Sequence, residues 1–172
     1  RFESRGLGDV YKRQILESFT NNKLLVLRNP EATRPWQHVI EPLVGYLLLA
    51  EKLSEKNGKN FSEPWNFGPS LKQNMKVKHL VNLFKKKLKT KSKININKKD
   101  KKFHNKKINI FESIDLNINS KKTYNKLLWK PRLSIEDSVQ MTIDWYKSFK
   151  SKKDLLNLTK NQIQKYLNFN FK

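Results

Sequence analysis

The sequence predicts an α/β protein in which helices dominate and strands are few and short. Apolar residues recur with the 3.6-residue period of a helix along most of the chain, and the period of two that marks a strand is confined to brief segments. The 172 residues suit one domain, and a hydrophobic fraction of 37% is enough for a core. We therefore expect a mostly helical domain with a few short strands.

The most regular helix of the first half begins at Pro42. Proline suits the first helical position, the acid Glu41 faces the positive end of the helix dipole, and an apolar face that includes Leu43 and Leu47 runs along residues 42–53. The expected elements around it are a helix with Ile15, Leu16 and Phe19 on one face, a buried strand at 24–27, a polar loop at 29–36, a short strand at 65–68 and a helix at 75–88.

The second half predicts two strand-like pieces followed by three helices. A capping sequence at Ser134 starts the clearest of these helices, because the hydroxyl can accept a backbone N–H three residues on. The expected order is alternating strands at 108–110 and 114–118, a short helix at 120–128, a helix from Ser134 with Val139, Ile143, Tyr146 and Phe149 on its apolar face, and a last helix from Thr159.

Positive charge is concentrated in one stretch. The 37 Lys and Arg exceed the 15 Asp and Glu, which gives a net charge of +22, and residues 72–107 hold fifteen lysines against the single acid Asp100. Such an excess is typical of nucleic-acid-binding proteins, yet the stretch has no arginine, the residue best suited to bidentate recognition of bases and phosphates. Residues 89–107 also have little apolar content, so we expect a solvated, disordered insertion there and no nucleic-acid partner.

Several classes of protein are excluded by composition. The absence of cysteine rules out disulfides, zinc-thiolate sites and thiol nucleophiles, and it favours a cytoplasmic location. The longest apolar run, residues 43–50, is far shorter than the ~20 residues that cross a bilayer, so we expect no membrane partner. Three histidines without a ligand spacing predict no metal site.

The first fourteen residues lack the pattern of the rest. Residues 1–14 (RFESRGLGDVYKRQ) show neither apolar period nor the apolar stretch of a signal peptide. The string GDVYKRQ resembles the translated adapter tail found at broken ends of reading frames in environmental sequence assemblies. We therefore expect residues 1–14 to be a non-native tail, and residues 15–172 to be the carboxy-terminal region of a longer protein.

A set of motifs in one order resembles a known superfamily. Their residues are 28–30 (RNP), 34–43 (RPWQHVIEPL), 65–69 (WNFGP), 128–132 (LWKPR), 142–146 (TIDWY) and 158–163 (LTKNQI). They resemble the extended short-chain dehydrogenase/reductases that act on nucleotide sugars. The superfamily usually has an aspartate at the positions of Pro35 and Glu41. The residues found here instead resemble those of the CDP-glucose 4,6-dehydratases specifically.

The resemblance implies a fold and a reaction. The fold is the carboxy-terminal part of a Rossmann-like enzyme, mostly its helical substrate-binding lobe with a few short strands. For the longer protein that contains this segment, the resemblance implies a homo-oligomeric lyase. Such an enzyme keeps NAD bound and converts CDP-glucose to CDP-4-dehydro-6-deoxyglucose. The family's glycine-rich loop and catalytic tyrosine and lysine lie upstream of this segment. No catalytic or cofactor-binding residue is therefore assigned here, and we expect this fragment alone to be inactive.

The resemblance also implies substrate contacts. Arg34 matches the family arginine that holds the diphosphate, a role suited to a planar guanidinium in a proline-stiffened loop. Each of the other candidates also has a structural alternative. Arg28 and Arg132 contact phosphate or cytidine or else brace loops, and Trp36 and Gln37 line the pocket or else pack. His38 is a general base or, as we expect in this motif, orients the loop by hydrogen bonding. Separately, Trp129 and Trp145 lie on apolar faces and are expected in the core.

Two functions from different classes remain open on the residues alone. The enzyme-fragment interpretation predicts that the apolar faces of the helices at Pro42 and Ser134 are left partly uncovered. The alternative, a small basic nucleic-acid-binding protein, predicts a self-contained core and a binding constant that falls steeply with salt.

Overall fold

The fold is α/β, as the sequence predicts. The computed structural model describes residues 7–27, 29–70, 73–96 and 114–168. The helices in these ranges are α1 Leu7–Thr20, α2 Ile40–Ser54, α3 Val77–Leu88, α4 Lys121–Lys126, α5 Ile135–Lys150 and α6 Leu155–Leu167. The strands are β1 Leu25–Leu27, β2 Thr33–Pro35, β3 Asn74–Lys76 and β4 Ile94–Ile96.

The chain forms two compact units, where the sequence analysis expects one domain. Unit 1 comprises Arg1–Arg34 and Met75–Leu116, and unit 2 comprises Pro35–Asn74 and Asn117–Lys172. Each unit is assembled from segments that are distant in sequence. That arrangement cannot be deduced from local apolar periods.

Unit 1 has a core made by two helices. α1 packs against α3. The predicted face of α1, Ile15, Leu16 and Phe19, is buried, and so are Val77, Leu80, Val81 and Phe84 of α3, whereas Leu88 at the end of that helix is half-buried. Helix α3 is capped at its carboxyl end by Lys89, whose φ of 52° is a left-handed conformation. The helical spacing of apolar residues therefore gave both contact faces correctly.

Helix α1 begins earlier than the sequence analysis expects. It starts at Leu7, so residues 7–14, which were assigned to a non-native tail, continue the helix that carries Ile15. Arg13 and Glu17 form an ion pair one turn apart across this boundary, with Nε and Oε1 2.9 Å apart. The foreign origin of residues 1–14 remains a prediction, whereas their lack of regular structure is wrong for residues 7–14.

A parallel strand pair corrects the expectation of a disordered insertion at 89–107. Within that stretch β4 pairs with β1 in parallel, with Leu25 opposite Ile94 and Leu27 opposite Ile96. The segment that leads into β4 is also fixed, because the Thr90 hydroxyl donates to the carbonyl of Phe19 at 3.3 Å. Backbone pairing with a distant strand orders residues 89–96 despite their lysine content, and residues 97–107 lie outside the described ranges.

The other strand predictions are only partly correct. The run 24–27 was expected to be buried, but Leu24 is 52% exposed and Val26 is also exposed, because β1 buries only one face. The alternation at 114–118 yields a single parallel bridge between Asp115 and Thr33, with Ile114 72% exposed. The expected strand at 108–110 lies outside the described residues.

Unit 2 contains a segment that was predicted as a strand and is not one. Residues 65–68 are extended but have no strand partner among the described residues. Side chains satisfy their backbone instead: Ser120 accepts from the Gly68 N–H at 2.7 Å, Thr123 donates to Asn66 O at 2.6 Å, and Tyr124 donates to Gly68 O at 3.1 Å. Hydroxyl groups of the α4 region thus take the place of a β-ladder.

Of the last three helices, α5 follows the capping signal predicted for it. Ser134 accepts from the N–H of Asp137 at 3.0 Å, as predicted for the start of α5. The α4 prediction is also correct to within two residues. α6 begins at Leu155 rather than Thr159, because the Asp154 carboxylate caps the N–H of Asn157 at 3.0 Å.

A buried carboxylate connects three parts of unit 2. Glu41 is 1% exposed, and its Oε1 accepts the backbone N–H groups of Arg132 and Leu133 at 2.8 and 2.7 Å. Its Oε2 accepts the Tyr166 hydroxyl at 2.6 Å. The backbone carbonyl of Glu41 accepts the Trp129 indole N–H at 3.2 Å. The first turn of α2 is thereby joined to the segment before α5 and to the end of α6.

Burial explains why the tyrosine keeps its proton. Burial of the Tyr166 side chain, together with its hydrogen bond to the Glu41 carboxylate, raises the pKa of the phenol well above its usual range. The Arg132 guanidinium carbon, 5.4 Å from the ring centroid, opposes this shift only weakly. The phenol therefore remains the donor and the carboxylate the acceptor.

We expect Glu41→Ala to lower the free energy of unfolding by about 3–5 kcal/mol. The change strips an acceptor from three donors, each costing about 1–3 kcal/mol when buried and unsatisfied, with water recovering part of the loss. Glu41→Gln should cost about 1–2 kcal/mol, since one oxygen remains. Urea denaturation measures both, and Glu51→Ala, an exposed acid on the same helix, is the control. A loss below 1 kcal/mol for Glu41→Ala would show that the carboxylate does not hold unit 2 together.

The pH dependence of unit 1 should include an effect from Glu31. Hydrogen bonds from Lys78 at 2.6 Å and Lys76 at 2.9 Å lower the pKa of Glu31 from 4.5 to about 2. A carboxyl whose folded pKa is lowered stabilises the fold above its unfolded pKa, and this contribution is lost as pH falls from about 4.5 towards 2. An NMR titration of the Glu31 carboxyl carbon should find a midpoint near pH 2, moved upward by Lys78→Ala and unmoved by Lys59→Ala. A Glu31 midpoint near pH 4.5 in the unsubstituted chain would contradict the ion pairs with Lys76 and Lys78.

Candidate functional site

The segment from β2 into α2 carries most of the predicted substrate contacts. β2 supplies Arg34, the residues after it supply Trp36, Gln37 and His38, and Glu41 lies in the first turn of α2. The prolines at 35 and 42 limit the backbone on both sides of this stretch. The segment thus carries four different polar side chains within eight residues.

Arg34 is held by backbone carbonyl groups. Its side chain is 4% exposed, and one terminal nitrogen, Nη1, donates to Thr33 O at 2.7 Å and to Ile114 O at 3.3 Å. The same backbone region is joined by the Thr33 N–H donating to Ile114 O at 2.8 Å. The guanidinium therefore braces residues 33 and 114 in unit 1, and contact with a diphosphate stays a prediction.

Trp36 and Gln37 support the packing alternative. Trp36 is 2% exposed and is among the largest fully enclosed side chains. The Gln37 amide is half-buried and donates to Phe67 O at 2.8 Å, which ties the start of α2 to the 65–68 segment. A side chain as enclosed as Trp36 serves the interior of the fold, whereas Gln37 remains on the border between interior and surface.

His38 orients the start of α2. Its side chain is buried, and Nδ1 accepts the N–H of Ile40 at 3.3 Å. The His38 carbonyl also accepts the N–H of Glu41 at 3.1 Å. These bonds satisfy N–H groups that the first turn of a helix leaves without partners, as predicted for a loop-orienting histidine.

Arg132 combines a backbone role with a side-chain role. Its N–H is one of the two that Glu41 accepts, and its Nη1 donates to Leu167 O at 3.4 Å. Its guanidinium also lies over the Tyr166 ring. These contacts brace the segment before α5 against α6, the structural alternative considered for this residue. Arg28 lies outside the described residues.

The two tryptophans expected in the core differ. Trp129 is buried and lies edge-on to Phe67, with ring centroids 5.2 Å apart. Trp145 is 37% exposed and stacks on Phe149, which is itself exposed. The core prediction is confirmed for Trp129 and wrong for Trp145.

Two further searches bear on the class of site. In the described ranges, no group of three or more His, Cys, Asp or Glu side chains is placed to hold a metal ion. No helix in the same ranges is long and apolar enough to cross a membrane.

Comparison with known proteins places these residues in an enzyme context. No protein-family model matches the chain. The chain is 31% identical over 154 residues to the CDP-glucose 4,6-dehydratase of Salmonella typhimurium, a match that covers 89% of this chain and 40% of that protein. Its structure resembles that of RMD from Pseudomonas aeruginosa complexed with NADPH, with a TM-score of 0.55 and 17% identity over 78% of this chain and 40% of that one.

The comparisons agree with the fold and with the resemblance that the motifs predicted. The structural neighbour supports the α/β fold. The resemblance to the CDP-glucose 4,6-dehydratases, predicted from six motifs in one order, is also confirmed. The chain spans 40% of the length of the relative it matches.

Proposed function

We propose that this chain is the substrate-binding part of a CDP-glucose 4,6-dehydratase, an NAD-dependent lyase that converts CDP-glucose to CDP-4-dehydro-6-deoxyglucose. The observation that carries the proposal is the 31% identity to the Salmonella enzyme over 89% of this chain. The motif residues 34–43 form the segment from β2 into α2. In this segment Arg34 donates a hydrogen bond to the carbonyl of Thr33, and His38 accepts one from the N–H of Ile40.

A second apolar face on α2 supports a larger assembly. One side of the helix packs in unit 2, where Ile40 and Val44 adjoin Tyr166, and Gly45 is so close to Phe67 that a Cβ would lie 2.2 Å from its ring. The other side is exposed and carries Val39, Leu43, Tyr46 and Leu47, the last of them 71% exposed. A helix that is apolar all round is normally buried on both sides.

This exposed face is the one that the enzyme-fragment interpretation predicts. The predicted apolar face of α2 divides in the structure: Leu43 and Leu47 are exposed, whereas Val44 and Leu48 beside them pack against buried residues. On α5, Phe149 is likewise exposed although it was expected on the apolar face. We propose that the remainder of the enzyme covers the exposed face of α2.

The residues of this chain do not themselves fit a nicotinamide dinucleotide. A Rossmann-type site needs closely spaced glycines after a strand, where the backbone approaches the pyrophosphate and a helix begins. β1 is followed instead by a proline-containing loop, and the five glycines of the chain are dispersed at positions 6, 8, 45, 58 and 68. We therefore assign NAD to the part of the enzyme that the alignment with the Salmonella protein leaves uncovered.

We propose Arg34 as the contact for the CDP-glucose diphosphate, with Gln37, Trp36, Arg28 and Arg132 shaping the surroundings. Carbonyl groups fix the Arg34 guanidinium through one nitrogen, so its orientation is set before a ligand arrives. A guanidinium held in this way loses little entropy when it binds an anion. Arg132 and Trp36 act by bracing and packing, since their described contacts are with Glu41, Leu167 and the interior.

We expect a chimera to show the activity. This chain, substituted for the aligned 40% of the Salmonella enzyme, should bind NAD and dehydrate CDP-glucose, because it supplies the same substrate-binding elements. Product formation by chromatography measures the activity, and the Salmonella enzyme is the reference. A folded chimera that binds NAD but leaves CDP-glucose untouched would contradict the proposed substrate.

Within that chimera, Arg34→Ala should weaken CDP-glucose binding by about 2–4 kcal/mol. The substitution removes two charge-assisted hydrogen bonds of roughly 1.5–3 kcal/mol each, and hydration of the exposed diphosphate recovers part of that free energy. KM should rise more than kcat falls, since the diphosphate is remote from the reacting carbons. Lysine should restore part of the affinity. Arg13→Ala, which removes an exposed arginine of α1, is the matched control. Equal CDP-glucose affinity in both variants would leave Arg34 with its bracing role alone.

A further inference from the structure

A concave basic surface lies on unit 2, beside α4. This basic cavity has a volume of about 480 Å³ and is lined by Asn66, Asn119, Lys121, Lys122, Asn125 and Lys126. All six lining side chains are amides or ammonium groups, and no carboxylate is among them. The sequence analysis missed it because Asn66 lies more than fifty residues from the other five.

The cavity follows from the way α4 is attached to the 65–68 segment. Thr123 faces inward and is fully buried, so Lys121 and Asn125 lie on the opposite, exposed side of α4, with Lys122 and Lys126, one turn apart, between the two sides. The bonds of Ser120, Thr123 and Tyr124 to residues 66–68 hold the helix in place. Asn66 Nδ2 also donates to Asn119 O at 3.2 Å and closes one end. The walls are therefore preformed.

The charge of the cavity is only partly balanced. Glu63 lies beside it, with its carboxylate 3.0 Å from Lys126 Nζ and 3.3 Å from Lys122 Nζ. Hydrogen bonds from Lys126 and then Lys122 lower the pKa of Glu63, so the acid stays ionised near neutral pH. Lys121 makes no ion pair with any other described residue. One acid against three lysines leaves about two uncompensated positive charges.

One ammonium group is already held in position. Lys122 Nζ lies 4.5 Å from the centroid of the Trp65 ring and donates a hydrogen bond to Pro64 O. Lysine positioned in this way binds phosphate as a point charge. The net charge of the cavity matches a phosphate monoester, which carries about −1.5 to −2 at pH 7.

We propose that the basic cavity binds the phosphate group of a small, polyhydroxylated phosphate ester. The three lysines meet the phosphate, and the amides of Asn66, Asn119 and Asn125, which can both donate and accept, suit hydroxyl groups. The volume falls in the range of small-molecule sites. This proposal does not depend on the proposed function.

The test is a titration of the 172-residue chain at constant ionic strength, followed by amide NMR. Glucose 6-phosphate, inorganic phosphate and glucose are the three probes. We expect saturable shifts centred on Asn119, Lys121 and Asn125, with glucose 6-phosphate bound more tightly than inorganic phosphate and glucose not bound. Equal affinity for the two phosphates would overturn the polyhydroxylated ester as ligand, and absence of saturable shifts with either would overturn the site.

Matched variants separate a site from general attraction to a basic protein. The double variant Lys121→Ala/Lys126→Ala should weaken glucose 6-phosphate binding about tenfold or more, because two of the three ammonium groups are lost. The control Lys160→Ala/Lys165→Ala removes the same charge from exposed positions on α6 and should leave the affinity within about twofold. Similar weakening in both variants would overturn the proposal. If the first double variant is unstable, Lys121→Ala alone takes its place, because Lys121 is not one of the two lysines paired with Glu63. This single variant should also weaken glucose 6-phosphate binding, and unchanged affinity would overturn the proposal.

Discussion

The buried carboxylate of Glu41 is the interaction on which unit 2 depends. It collects two backbone N–H groups and a phenol from segments that lie 91 to 125 residues away in sequence. A carboxylate without donors would be costly at 1% exposure, but three short hydrogen bonds replace its hydration. The same residue opens α2, so the start of that helix and the position of α5 and α6 are fixed together.

The length of the side chain matters for this arrangement. The motif position of Glu41 is usually aspartate in the superfamily that the chain resembles, and here one more methylene separates the carboxylate from the backbone. One oxygen accepts both N–H groups while the other accepts the Tyr166 hydroxyl. The motif residue that most distinguishes this chain is thus structural. It stabilises the start of α2, next to Trp36 and Gln37, and is itself buried.

Local signals were predicted well from sequence, and long-range contacts were not. The Ser134 cap and the apolar stripe of α3 depend on residues within a few positions, so their patterns can be read directly. β4 depends on pairing with β1 about seventy residues away, and a lysine-rich composition concealed it. The extended segment at 65–68 looks like a strand because its aromatic residues Trp65 and Phe67 alternate with others, yet hydroxyl groups from residues 120–124 bond to its backbone. For the candidate site, the substrate-binding role of the segment that the motifs indicate stays a prediction, and only the contacts show that Trp36 is enclosed and that His38 accepts the N–H of Ile40.

The distribution of positive charge illustrates why composition alone is a weak guide to binding. Net charge of +22 creates a general attraction for anions, but attraction of this kind is screened by salt and selects no ligand. The lysines of α3 that lie on its outer side, such as Lys85 to Lys87, are of this sort, because they end a helix that buries its opposite face. The lysines of α4 differ in that the inward bonds of Thr123 and Tyr124 fix the helix, and Glu63 and Trp65 position two ammonium groups. Geometry of this kind turns a share of the charge excess into a binding surface.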